Sequence, residues 1–151
     1  MDTPRTSLEL GLLGENSPRV QRDLYEIVLT AQTEAIDMCR PGKNWSDPHK
    51  AAVSSLAKGL VELGVLDCSI EEAIGKNYDG RVRDFFMHGT SHSLGLDVHD
   101  VGITKPTGND DGRLLEPGMV LTIEPGLYFP KWVDNLNIDP KYAGIGIRIE
   151  D

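Results

Sequence analysis

The spacing of apolar positions along the chain changes near Gly80. Before it, Leu24, Ile27, Val28, Ala31, Ala35 and Met38 recur three and four residues apart, which predicts a helix with a single apolar stripe. Ser17-Pro18 opens that helix, supplying a capping hydroxyl and then a proline whose missing N–H costs nothing in the first turn. Arg40-Pro41-Gly42 closes it. A second helix starts at Ser46 or Asp47, places Val53, Leu56, Ala57, Leu60 and Leu63 on one face, and stops at Gly64. Ser69-Ile-Glu-Glu72 is a capping box that opens a short third helix ending near Gly75. Residues 1–16 hold Pro4, Gly11 and Gly14 without a sustained period and read as a loop or a poorly held end.

After Gly80 short β-branched and aromatic runs take over: Phe85 to Met87, Met119 to Glu124 and Ile145 to Ile149, separated by Gly, Pro, Asn and Asp clusters. Residues 103–113 and 129–142 read as polar surface connections. Helices first and antiparallel strands after them give an α+β class rather than an alternating α/β one.

At 151 residues, with 39% hydrophobic and 26% charged positions, the chain suits one soluble core and is short for two domains. A net charge of −9 argues against a nucleic-acid or anionic-membrane surface, which would need clustered Lys and Arg. Cys39 and Cys68 match no zinc or redox spacing and read as inert thiols in a reducing compartment. The residues Met-Asp-Thr-Pro-Arg lack the basic start and the long apolar stretch of a signal peptide, and no run approaches membrane-spanning length, so the expected location is cytoplasmic.

The chemistry concentrates in the second half. His88, His92 and His99 fall within twelve residues, and two carboxylates, Glu124 and Glu150, follow in apolar, strand-like settings. Any one of these histidines alone is compatible with an ordinary hydrogen-bonded side chain. Three together, flanked by Gly89 and Gly95 that permit close backbone approach, point to a site. Glu124 ends an apolar run and needs a cation, a hydrogen-bonding shell or a rim position. The alternation of Ile145, Ile147 and Ile149 with Gly146, Arg148 and Glu150 puts Arg148 and Glu150 on one strand face, as a solvated ion pair or as part of the site. Imidazole with carboxylates is the donor set of a hydrolytic metal centre. No His-Glu-x-x-His signature, nucleophile elbow or Walker loop occurs, and His49, near the start of the second helix, reads as a surface residue.

Taken together, His88-Gly-x-x-His92, Gly-Leu-Asp-Val-His99-Asp, Glu116-Pro-Gly-Met, Thr-Ile-Glu124-Pro-Gly-Leu-Tyr and Gly-Ile-Arg148-Ile-Glu150-Asp resemble aminopeptidase P, the Xaa-Pro branch of the pita-bread metallopeptidases. The resemblance implies a partial pita-bread (creatinase/aminopeptidase) fold, with residues 17–151 forming the C-terminal portion of a catalytic domain truncated at both ends. It implies two divalent metal ions, typically manganese, with His92, Glu124 and Glu150 as ligands. His88 and His99 resemble the histidines that contact substrate, and Arg148 the arginine that orders the site. The family's two aspartate ligands lie on an upstream hairpin; Asp2-Thr-Pro-Arg5-Thr6 is similar to one of them, with Pro4 in place of a threonine. The implied substrate is a peptide with proline at its second position. Incomplete ligands and missing covering elements lead to an expected inactive or weakened site, an exposed apolar surface, marginal stability, and self-association or need of an N-terminal segment. Two alternatives are a non-catalytic pita-bread peptide-binding module and a prolidase-like dipeptidase.

Overall fold

The computed structural model describes residues 18–131 and 138–151. Asp2, the rest of residues 1–16 and the cap expected at Ser17 lie outside the described residues, as does the centre of the connection expected over 129–142. Helix α1 (Pro18–Asp37) buries Leu24, Val28, Ala31, Gln32 and Ala35, a stripe with the spacing of one helical face. Ile27 is only half-buried, and Met38 falls just past the helix end. Helix α2 (Asp47–Glu62) packs along α1 through Ala52, Val53, Leu56, Ala57 and Leu60, all fully buried. The two approach closely because Gly59 has no side chain: a Cβ there would stand 2.6 Å from Ile27 Cγ2.

The start of α2 differs from expectation in one respect. Ser46 directly precedes it but makes no side-chain cap; instead Asp47 Oδ2 accepts the Asn44 N–H at 2.8 Å. Gly64, with φ +74°, donates its N–H to the Val61 carbonyl and turns the chain away, a conformation that favours glycine. Helix α3 (Ile70–Ile74) opens as expected, with Ser69 Oγ accepting the Glu72 N–H at 3.1 Å.

The β half is less regular than its sequence pattern predicts. Phe85 to Met87 form no strand: they follow a 3₁₀ turn (Arg81–Asp84), and Phe85 and Phe86 plug the core, while the Phe85 carbonyl accepts a single bond from Tyr128 N–H. Strand β1 (Gly126–Tyr128) pairs antiparallel with β2 (Gly146–Arg148), in the register Gly126↔Arg148 and Tyr128↔Gly146. Residues 119–124 were expected to be a strand but carry only an isolated bridge, Ser93↔Leu121, within a run of hydrogen bonds to residues 90–94. Pro125, which has no N–H to give a ladder, separates this extended run from β1. The strand expected over 145–149 is regular only across 146–148.

One core joins the layers: Leu24, Val28, Leu56 and Leu60 from the helices meet Phe85, Phe86, Leu127, Phe129, Tyr142 and Ile147. Each such side chain contributes about 1.5–3 kcal/mol on burial. Beyond the core, residues 94–103, which belong to no helix or strand, present Leu94, Leu96, Val98, Val101 and Ile103 to solvent. Helices followed by an antiparallel pair make the described chain α+β.

Candidate metal centre

The register of β1 and β2, extended two residues, sets Glu124 opposite Glu150. The closing link is a reciprocal pair: Ile123 N–H donates to the Asp151 carbonyl (2.9 Å) and Asp151 N–H to that of Ile123 (3.2 Å). The alternation of side chains then puts Glu124, Gly126 and Tyr128 on the same face as Gly146, Arg148 and Glu150, while Ile123, Leu127, Ile147 and Ile149 turn into the core. Gly126 keeps that face open, since a Cβ there would stand 2.8 Å from the Tyr128 hydroxyl oxygen. On the other side, the Glu124 and Thr122 N–H groups donate to the Thr90 and His92 carbonyls (2.8 and 3.0 Å), which brings His92 alongside Glu124.

The result is a cluster in which His92, Glu124 and Glu150 each offer a ligand atom, all within 4.8 Å of one another. His92 Nδ1 donates to the Ser93 carbonyl at 3.0 Å, so in the neutral ring the lone pair sits on Nε2, 3.1 Å from Glu124 Oε1. That same oxygen accepts the Thr122 hydroxyl (3.1 Å), and the Thr122 oxygen in turn accepts the His92 N–H (3.1 Å). Glu124 is buried, and its second oxygen faces Arg148 Nη1 at 3.4 Å; Arg148 Nη2 lies 3.7 Å from Glu150. One guanidinium is thus shared by two carboxylates and offsets only one of their two negative charges.

A divalent cation fits this donor set. Two ligands about 2.1 Å from one ion and at right angles lie about 3 Å apart, which matches the 3.1 Å between His92 Nε2 and Glu124 Oε1. A fixed imidazole tautomer and a hydroxyl-braced carboxylate are the supports such ligands need.

Of the remaining expected residues, His88 and His99 are described, while Asp2 lies outside the described residues. His88 Nδ1 donates to the Gly89 carbonyl (2.7 Å), so its neutral Nε2 accepts from the Tyr128 hydroxyl at 2.8 Å. His99 is exposed and stands edge-on to His92, ring centres 4.3 Å apart. Thr90, Thr122, Tyr128 and His49 were not picked out as site residues from the sequence. A signal existed for Thr122 and Tyr128, which are two residues before and four after Glu124 and therefore on its face. None existed for His49. It is not a surface residue: it is half-buried, its Nδ1 lies 2.7 Å from the hydroxyl oxygen of Thr90, and its ring packs on Phe86. Burial, reinforced by the charges of Arg83, Lys105 and His88, lowers its pKa to about 4, so the ring is neutral at pH 7. Cys39 is a half-buried free thiol whose pKa burial raises, and Cys68 is likewise free.

The comparisons with known proteins converge on one family. The model for "Metallopeptidase family M24" matches residues 2–151. The chain is 46% identical over 133 residues to the Xaa-Pro aminopeptidase of Escherichia coli (strain K12) and 43% identical over 131 residues to that of Haemophilus influenzae. Those alignments cover 88% and 87% of this chain, but the chain spans only 28% of the length of each relative. Among solved structures, the aminopeptidase PepP of Pseudomonas aeruginosa superposes with a TM-score of 0.79 at 42% identity, covering 89% of this chain and 29% of that one. Proline aminopeptidase P II from Yersinia pestis does so with a TM-score of 0.76 at 47% identity, over 88% and 29%. The fold is accordingly a partial pita-bread fold of the α+β class.

Proposed function

This chain belongs to metallopeptidase family M24, and from that premise we propose that it carries the histidine and glutamate arm of the metal centre of an Xaa-Pro aminopeptidase, which releases an N-terminal residue preceding proline. The observation that carries the reading is the convergence of His92 Nε2, Glu124 and Glu150 within 4.8 Å on a face where β-strand alternation and an arginine hold them. We assign His92, Glu124 and Glu150 as ligands of two divalent ions, with manganese the expected metal. Hard cations bound there supply Lewis-acid activation of the scissile carbonyl and of the attacking water.

The chain's own residues do the rest. Arg148 offsets part of the charge of the paired carboxylates and reaches both Glu124 and Glu150. His88, its Nε2 lone pair held towards the Tyr128 hydroxyl, is a proton relay at the edge of the site. His99, exposed beside His92, is placed to touch a peptide lying over the cluster. The described residues supply three of the five ligands that the resemblance implies. The aspartates, Asp2 among the candidates, would come from chain outside the described residues, so turnover is proposed for the protein that presents both sets. A cytoplasmic location is part of the same proposal; no helix among the described residues is long and apolar enough to cross a membrane.

The test is calorimetric titration with Mn2+ alongside release of the N-terminal residue from an Xaa-Pro-Xaa peptide. Glu124→Ala is expected to abolish both. Binding of Mn2+ that survives in Glu124→Ala would remove the basis of the assignment. Cleavage confined to Xaa-Pro dipeptides would move the reading to a prolidase-like dipeptidase.

A further inference from the structure

We infer that His49 is a positioning residue for the site, a neutral clamp from helix α2 that holds residues 86–90 and, through the Thr90 carbonyl, the backbone of Glu124. The inference rests on the reading of Glu124 as a ligand.

His49 sits in the first turn of α2, whose buried face is anchored in the core by Val53, Leu56 and Leu60. It touches the site-bearing segment at two points. Its Nδ1 shares a 2.7 Å hydrogen bond with Thr90 Oγ1, and Thr90 is itself only 1% exposed. The Thr90 carbonyl accepts the Glu124 N–H at 2.8 Å. Its ring also lies 5.7 Å from that of Phe86, and Phe86 stands edge-on to His88 at 4.8 Å. One side chain on the rigid helix layer therefore braces both the ligand-bearing run and the histidine beside it.

A neutral ring suits this place. The cationic side chains nearby are Arg83, which donates to the His88 and Met87 carbonyls, and Lys105. A charged imidazole would be repelled by both, whereas a neutral one can exchange a single hydrogen bond with a buried hydroxyl at little cost. No carboxylate accompanies His49 among the groups that shift it. Supporting partners of this kind, one contact removed from a ligand, commonly set metal affinity by about 10–100-fold.

The experiment follows amide hydrogen exchange by NMR in the full chain, for His49→Ala, His49→Asn, Thr90→Val and the double variant His49→Ala/Thr90→Val. His49→Ala and Thr90→Val should each speed exchange at the Glu124 amide about tenfold, the scale of one buried hydrogen bond, and the double variant should be no faster than either. Val28 and Leu56 amides in the helices should not change. His49→Asn, whose side-chain oxygen occupies the place of Nδ1, should restore slow exchange at Glu124. Unchanged Glu124 exchange in His49→Ala would overturn the inference, and so would equal acceleration at Val28 and Leu56, which marks general loosening. Should His49→Ala fail to fold, Thr90→Val with His49→Asn decides the matter by the same amide. Mn2+ titration of the same proteins should show about tenfold weaker binding in His49→Ala. If the unaltered chain and Glu124→Ala take up Mn2+ equally, the metal assignment falls, while the exchange result still decides the positioning role.

Discussion

The helix pair and the site-bearing layer fold by different means. In α1 and α2 the contacts are between apolar side chains that are all but fully buried, arranged by an uninterrupted period. In the described part of residues 86–151 the regular strands are three residues long; Phe86, Leu127, Phe129 and Ile147 anchor one side in the same core, while the site face is held by backbone pairs, hydroxyls and an arginine shared by two glutamates. Both regions contribute to one core, and the chemistry is confined to the face of the second that turns away from it. Such an arrangement can hold costly carboxylates in place without relying on them for the core.

This contrast can be broken most strongly from the helix side. Leu56→Ala empties a fully buried position and should lower unfolding stability by about 2–5 kcal/mol, measured by urea denaturation. Mn2+ affinity per folded molecule should hold in the same variant. A large loss of affinity would mean the two regions are one energetic unit.

His49 is one polar contact between the regions, and its titration tests the seam. Folding favours the neutral ring, with a pKa of about 4 against an ordinary 6.5. Between those values the unfolded chain binds a proton that the folded chain refuses. The His49 contribution is therefore fully present above about pH 6.5, declines as pH falls, and is flat below about pH 4. Its total is at most on the order of 3 kcal/mol. Urea midpoints at pH 7 and pH 4.5 should converge in His49→Asn relative to the unaltered chain.

Within the site layer, Thr122→Val removes the hydroxyl that donates to Glu124 and accepts the His92 N–H. Metal affinity should fall about 10–100-fold, while the unfolding transition moves little. A shift in stability as large as the shift in affinity would argue that the layer is structural first. The smallest effect on folding is expected at the exposed strip. Leu96→Ser with Val101→Ser should change unfolding stability by less than about 0.5 kcal/mol. Both positions are at least 90% exposed, so concentration-dependent association, followed by analytical ultracentrifugation, should weaken.

The same contrast explains which parts were readable in advance. The period of Leu24, Val28, Ala31 and Ala35 is a local property, and so is the Ser69 cap; both appear where the pattern put them. The β half offered no such repetition. Phe85 to Met87 have the composition of a strand, yet Phe85 and Phe86 are spent filling the core beneath the helices, a demand set by the neighbours. Residues 119–124 have strand-forming types but end at Pro125, which limits what a ladder can do there. His49 was misjudged because its partner Thr90 is 41 residues away, and a solvated first-turn histidine looks the same in sequence as one turned inward.

The sequence by itself determined the helices, the α+β order, the family and three residues that come together, His92, Glu124 and Glu150, because periodicity, caps and motif spacing act over a few residues. Tertiary structure alone decided that Glu124 faces Glu150, that Arg148 spans both, that Tyr128 meets His88, and that a histidine from α2 reaches the Thr90 hydroxyl. Each of these depends on strand register or on packing between elements distant in the chain. Such contacts are fixed by the burial of the whole core and by the pairing of backbone groups, neither of which is a property of any local stretch of residues.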